Sequence, residues 1–171
     1  MTEQSLTSAF QKRLNETFKF TVSFLNSHKL KWFAAYGTAI GAVRHKGFIP
    51  WDDDIDIFMP YSDYQKLLSL AESFDETNYH LALPLEEGNY CPYAKICDNS
   101  STIWEVHRWP FLTGVWIDIF PLYESNCNEA EFQHTLQKNT RRNFRPTSEA
   151  LVVILPKIFS HSWQVFTHAR W

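Results

Sequence analysis

Tyr36-Gly37-Thr38-Ala39-Ile40-Gly41-Ala42-Val43-Arg44-His45-Lys46-Gly47-Phe48-Ile49-Pro50-Trp51-Asp52-Asp53-Asp54-Ile55-Asp56-Ile57 is the stretch on which the reading of this chain turns. Four aspartates fall within five positions, and the last two, Asp54 and Asp56, alternate with Ile55 and Ile57. Alternation at period two is the signature of a strand, with the carboxylates on one face and the isoleucines on the other. Two carboxylates side by side repel each other and gain nothing from burial, so they call for a compensating cation. A hard-metal site is the first expectation, and phosphate chemistry follows from it.

Immediately upstream, Gly37-Thr38 stands where a short aromatic-rich strand over 31–36 meets a helix over 38–44. Backbone N–H groups at a helix start bind anions, and glycine allows a phosphate to approach closely. The Thr38 hydroxyl adds a donor. Downstream, Asp118 in Trp116-Ile117-Asp118-Ile119-Phe120 repeats the pattern of a carboxylate flanked by isoleucines. A carboxylate from a neighbouring strand would complete a cluster with Asp54 and Asp56. Oxygen-only donors suit Mg²⁺, with Mn²⁺ as a substitute, whereas zinc would want suitably spaced Cys or His. Asp52 and Asp53 follow Pro50-Trp51, so they serve a turn or tune the charge of the site.

The rest of the chain frames this centre. Leu6, Phe10, Leu14, Phe18, Val22 and Leu25 recur at helical spacing and give a long amphipathic helix. Pro60 ends the carboxylate strand over 54–59, and Ser62 or Asp63 caps a helix running to about Phe74. Strands are expected over 79–83, 92–97, 101–106 and 116–120, a polar helix over 128–142, and a helical tail over 148–169. That order indicates an α+β fold, a mixed sheet flanked by helices.

The 171 residues fit a single domain, 44% apolar content indicates a globular and not a disordered chain, and a net charge of −3 gives no reason to expect non-specific nucleic-acid binding. Three cysteines without paired spacing argue against a disulfide framework and for a reducing, cytoplasmic setting. No N-terminal targeting pattern and no run long enough to span a bilayer stands out, which leaves peripheral membrane contact open. The basic group Arg141, Arg142 and Arg145 reads as a solvated helix end.

Gly37-Thr38, Asp54-Ile55-Asp56 and Ile117-Asp118-Ile119 resemble the pattern of the nucleotidyltransferase superfamily. Within it, the block from Gly37 to Ile57 is similar to the LicD family, which includes bacterial phosphocholine transferases and animal fukutin-related proteins. Tyr93-Ala94-Lys95-Ile96, followed by Ser101-Thr102, resembles a second, weaker block, so the likeness covers roughly 30–122. The resemblance implies a nucleotidyltransferase-like fold and transfer of a phospho-alcohol, phosphocholine first, from a CDP-linked donor such as CDP-choline to a glycan or lipid-linked glycan hydroxyl, with CMP leaving. It implies that Asp54 and Asp56 hold Mg²⁺, and that Asp118 completes the metal site or takes the acceptor's proton. Gly37 and Thr38 would cradle the phosphate, Arg44 and Lys95 would supply positive charge to it, and Trp51 would stack on the base or on choline. Two other readings share the metal site: a nucleotidyltransferase that releases pyrophosphate, and a non-catalytic module that binds a CDP ligand. Relative to the family, the C-terminal region is expected to be shortened.

Overall fold

The phase of the first helix decides which side of the sheet becomes core. The computed structural model describes residues 3–105 and 111–123. The helix expected over 128–142, the tail over 148–169 and Arg141, Arg142 and Arg145 lie outside these. Helix α1 (Glu3–Ser27) buries Leu14, Phe18, Phe24 and Leu25 along one stripe. Thr17 and Thr21 share that stripe, and each hydroxyl donates to the carbonyl four residues back, Arg13 O at 3.0 Å and Thr17 O at 2.9 Å. Polar side chains therefore enter the core with their hydrogen bonds made.

A five-stranded sheet lies against α1. In chain order its strands are β1 (Phe33–Ala34), β2 (Asp56–Pro60), β3 (Tyr79–Ala82), β4 (Ala94–Asp98) and β7 (Trp116–Leu122), arranged β1-β2-β7-β4-β3. β2 and β7 run parallel and every other pair is antiparallel, so the sheet is mixed and the fold α+β. Helix α2 (Tyr36–Arg44) links β1 to β2, and α3 (Tyr61–Ser69) follows β2 directly. The inner face carries Ile55, Ile57, Met59, Ala94, Ile96, Ile117 and Ile119, each at most 2% exposed. Helices α1 and α3 pack on it. At about 25 cal/mol per Å² of apolar surface removed from water, the burial of this face stabilises the domain.

Several boundaries differ from expectation. The carboxylate strand starts at Asp56, because pairing with β7 begins at Asp56↔Asp118 and Asp54 has no cross-strand partner. The strand expected over 31–36 pairs at Phe33 and Ala34 alone. Neither Ser62 nor Asp63 caps α3. Pro60 takes the cap position without a side-chain bond, and the Asp63 carboxylate accepts from Lys66 Nζ at 2.7 Å and Lys31 N at 3.3 Å. The helix expected to reach Phe74 stops at Ser69, and a 3₁₀ turn covers Ala71–Phe74. Pro121 lies inside β7 and does not end it. Asp118 N donates across to Ile55 O, so by alternation the Pro121 nitrogen faces β4, whose ladder has already ended at Ala94↔Ile119. Strand β5 (Ile103–Glu105) pairs with an unexpected β6 (Phe111–Thr113) in a separate two-stranded sheet. Among the described residues no helix is long and apolar enough to cross a membrane.

Candidate active site

Period two, which buries the isoleucines, turns Asp56 and Asp118 to the opposite face of the sheet. The register pairs Asp56 with Asp118 and Asp118 with Lys95, so the three side chains form one row across β2, β7 and β4. Adjacent strands lie about 4.8 Å apart, which brings the two carboxylates within electrostatic reach. Asp54, in the extended lead-in to β2, joins them from the edge. Burial first, then the charges of Asp54, Asp118 and Asp52, push the Asp56 carboxyl up to about 7, and Lys95 opposes the rise. Asp54 is pushed up to about 6 by burial first and then by Asp52, Asp53 and Asp118. Mutual repulsion in a partly desolvated place is the condition that a divalent cation relieves.

Helix α2 fixes this arrangement from the side. Asp56 N donates to Thr38 Oγ1 at 2.9 Å, and Ala35 N donates to Asp56 O at 2.9 Å. Thr38, buried against β2, therefore holds the backbone of the carboxylate residue in place. Gly37 lies beside Asp52: a Cβ there would come within 2.6 Å of Asp52 Oδ2. A carboxylate, and not open space, faces the helix start that the sequence assigns to phosphate. The positive end of the helix dipole suits that charge. Asp52, Asp53 and Asp54 present carboxylate oxygens within 4.8 Å of one another, so the acidic run is clustered in space as well as in sequence.

The three cationic or aromatic candidates separate. Lys95 is 2% exposed, and its Nζ sits 3.0 Å from Asp118 Oδ1. Its charge is directed at a carboxylate. Arg44 is exposed in the last turn of α2, about 12 Å along the axis from Tyr36. Trp51 is 82% exposed and meets the edge of His45 with ring centroids 6.5 Å apart. Neither Arg44 nor Trp51 is brought onto the carboxylate row.

Aromatic rings that sequence reasoning passed over line the same face. Phe58 and Phe120 are cross-strand partners two residues beyond Asp56 and Asp118, with ring centroids 6.1 Å apart. Tyr93 packs on Phe120 at 4.3 Å, and Tyr36 meets Phe58 at 5.0 Å and Phe120 at 5.6 Å, both edge-on. Tyr36 holds φ at 41°, a left-handed backbone uncommon for a residue with a side chain. Burial and then Asp56 raise its hydroxyl pKa. Burial and then Asp118 raise that of Tyr93. The same alternation that turns the aspartates to this face places Phe58 and Phe120 beside them, and Tyr93 joins from the bend just before β4, so the pattern Asp-x-Phe was the available signal. Together the face offers an oxygen-only donor set that fits a hard divalent ion, a helix start and an aromatic wall.

Residues 29–151 match the family model described as LicD/FKTN/FKRP, nucleotidyltransferase domain. The Haemophilus influenzae protein named lipopolysaccharide cholinephosphotransferase LicD is 36% identical over 119 residues, 67% of this chain and 43% of that protein. Uncharacterized proteins of Rickettsia prowazekii and Rickettsia typhi are 36% identical over 66 residues and 34% identical over 68, covering 25% and 22% of their own lengths. The chain thus spans less than half the length of these curated relatives.

Proposed function

The chain belongs to the LicD/FKTN/FKRP nucleotidyltransferase-domain family, and from that premise we propose that it transfers phosphocholine, or a related phospho-alcohol, from a CDP-linked donor to a glycan hydroxyl. In that reaction the acceptor oxygen bonds to the phosphorus that carries the alcohol, the bond from that phosphorus to the CMP oxygen breaks, and CMP leaves. A lipopolysaccharide-type glycan is the first acceptor to test, because the name of the Haemophilus influenzae relative gives that substrate.

Asp54 and Asp56 are the ligands proposed for Mg²⁺. The observation that carries this reading is the in-register pairing of Asp56 with Asp118, with Asp54 adding its repulsion from the edge. When bound, the ion would supply positive charge against the donor diphosphate. Asp118 completes the acidic set or accepts the proton of the attacking hydroxyl. The first N–H groups of α2 hold non-bridging phosphate oxygens once the Asp52 side chain swings off Gly37, a movement that a flexible side-chain tip permits. Tyr36, Phe58 and Tyr93 offer ring faces and edges to the base or to a quaternary ammonium group.

The test is product identity. The chain, CDP-choline, a lipopolysaccharide acceptor and Mg²⁺ are expected to yield CMP and a choline-bearing glycan, with Asp56→Asn abolishing both. Pyrophosphate released from a nucleoside triphosphate, with no CMP formed from CDP-choline, overturns the reading in favour of nucleotidyl transfer. Mg²⁺-dependent binding of CDP-choline without turnover on the acceptor overturns it in favour of a donor-binding module.

A further inference from the structure

Asp118 stands in the middle of a row, with an acid on one side and a base on the other. On β7 it lies opposite Asp56 of β2 and opposite Lys95 of β4. Lys95 is 2% exposed, and its Nζ sits 3.0 Å from Asp118 Oδ1, an oxygen that is itself buried. The Asp118 side chain as a whole keeps 11% of its surface exposed. The ammonium therefore meets the buried oxygen, and the exposure that remains belongs to the rest of the side chain. Two rings confine the ammonium, with Nζ 4.3 Å from the centroid of Trp116 and 5.6 Å from that of Tyr93. Trp116 lies two residues before Asp118 on β7, and Tyr93 comes from the bend just before β4. A lysine enclosed in this way keeps its charge through the carboxylate and the ring faces around it, and it cannot roam as a surface lysine does.

We propose that Lys95 is a positioning residue for Asp118: it pins one carboxylate oxygen and thereby turns the other towards the reacting groups. The inference rests on the transferase reading above, and it moves the lysine off the donor phosphate, to which the family resemblance assigns it. Asp54 and Asp56 both feel the charge of Asp118, so repulsion acts on this carboxylate from the β2 side of the row. A cation fixed on the β4 side offsets that repulsion and limits rotation of the carboxylate about its side-chain bonds. The oxygen left over serves equally for an ion or for the proton of the attacking hydroxyl. Either use needs the group held in one orientation, because a reacting atom displaced by about 1 Å can cost on the order of a hundredfold in rate.

A double-mutant cycle read by turnover tests this, with CMP release from CDP-choline followed on a lipopolysaccharide acceptor at saturating Mg²⁺. Lys95→Met is expected to lower kcat at least about tenfold, with KM for CDP-choline within about threefold of the wild type. Calorimetry is expected to show CDP binding to this variant at wild-type stoichiometry, which a partly unfolded sample would not give. In an Asp118→Asn background the same Lys95→Met change is expected to cost less than about threefold, because the group it holds is already lost. Trp116→Leu leaves the ion pair and opens one wall around the ammonium. It is expected to lower kcat at least about threefold with KM unchanged, and it tests the inference even if Lys95→Met does not fold. A KM for CDP-choline raised about tenfold or more with kcat kept puts the lysine on the donor, and overturns the inference while leaving the transferase reading standing. A wild-type kcat in either folded variant does the same, as does a Lys95→Met loss as large in Asp118→Asn as in the wild type. No CMP from the wild type overturns both.

Discussion

At the scale of single residues, the chain holds its acids at a cost. Asp56 is 9% exposed, feels the charges of Asp54, Asp118 and Asp52, and is raised to about 7 from an ordinary 3.8, with burial the largest cause. A folded value above the unfolded one means the folded chain keeps the proton between about pH 4 and about pH 7, where the unfolded chain has lost it. Stability of the metal-free protein therefore falls as pH rises through that window and levels off above it. Asp54, raised to about 6, acts in the same direction. Asp56→Asn removes one of these charges while keeping the shape. In EDTA the variant is expected to melt higher than the wild type at pH 7.5, by about 1–2 kcal/mol, and to show a shallower fall with pH. At pH 4 the two are expected to converge. Differential scanning fluorimetry across pH 4–8 checks both, and Mg²⁺ is expected to stabilise the wild type alone.

At the scale of elements, the site depends on how α2 is tied to β2. Thr38→Val keeps the volume and removes the acceptor for the buried Asp56 N–H, so it is expected to cost about 1–3 kcal/mol in urea melts, with Thr38→Ser close to wild type. Two glycines give a second contrast. A Cβ at Gly114 would stand 1.8 Å from Asp98 O, a backbone atom that cannot step aside, so Gly114→Ala is expected to lower the melting temperature severely. At Gly37 the obstacle is the tip of the Asp52 side chain, and Gly37→Ala is expected to shift the melt by less than about 1 kcal/mol while weakening CDP-choline binding, followed by calorimetry. The elements differed in how legible they were. α1 and β7 could be read because their apolar periods are long and uninterrupted. β1 could not be bounded, since its length is set by where β2 offers a partner. The three residues of β6 give too short a pattern, and the break of α3 at Leu70 carries no Gly or Pro signal. Lys95 was visible as a charge near the right motif. That it faces Asp118 depends on the β4–β7 register, which no local spacing encodes.

At the scale of the whole molecule, the sheet divides labour between its faces. Isoleucines bind α1 and α3 on one side, while the other gathers Asp56, Asp118, Lys95 and the rings of Phe58, Phe120 and Tyr93. Strands that anchor the core also aim the acids, so ion binding and fold stability are linked. A ligand that binds the folded chain raises its stability by mass action, and a metal ion binds the deprotonated carboxylates. With Asp54 near 6 and Asp56 near 7, uptake of Mg²⁺ at pH 6 is expected to release about one to one and a half protons, and at pH 8 close to none. Protons compete with the ion at low pH, so the thermal shift caused by a fixed Mg²⁺ concentration is expected to be small at pH 5.5 and to grow towards pH 8. Titration calorimetry in two buffers of different ionisation enthalpy counts the protons, and thermal melts across pH with and without Mg²⁺ follow the linkage. A proton count that does not change between pH 6 and pH 8, or a Mg²⁺ shift independent of pH, would place the ion away from Asp54 and Asp56.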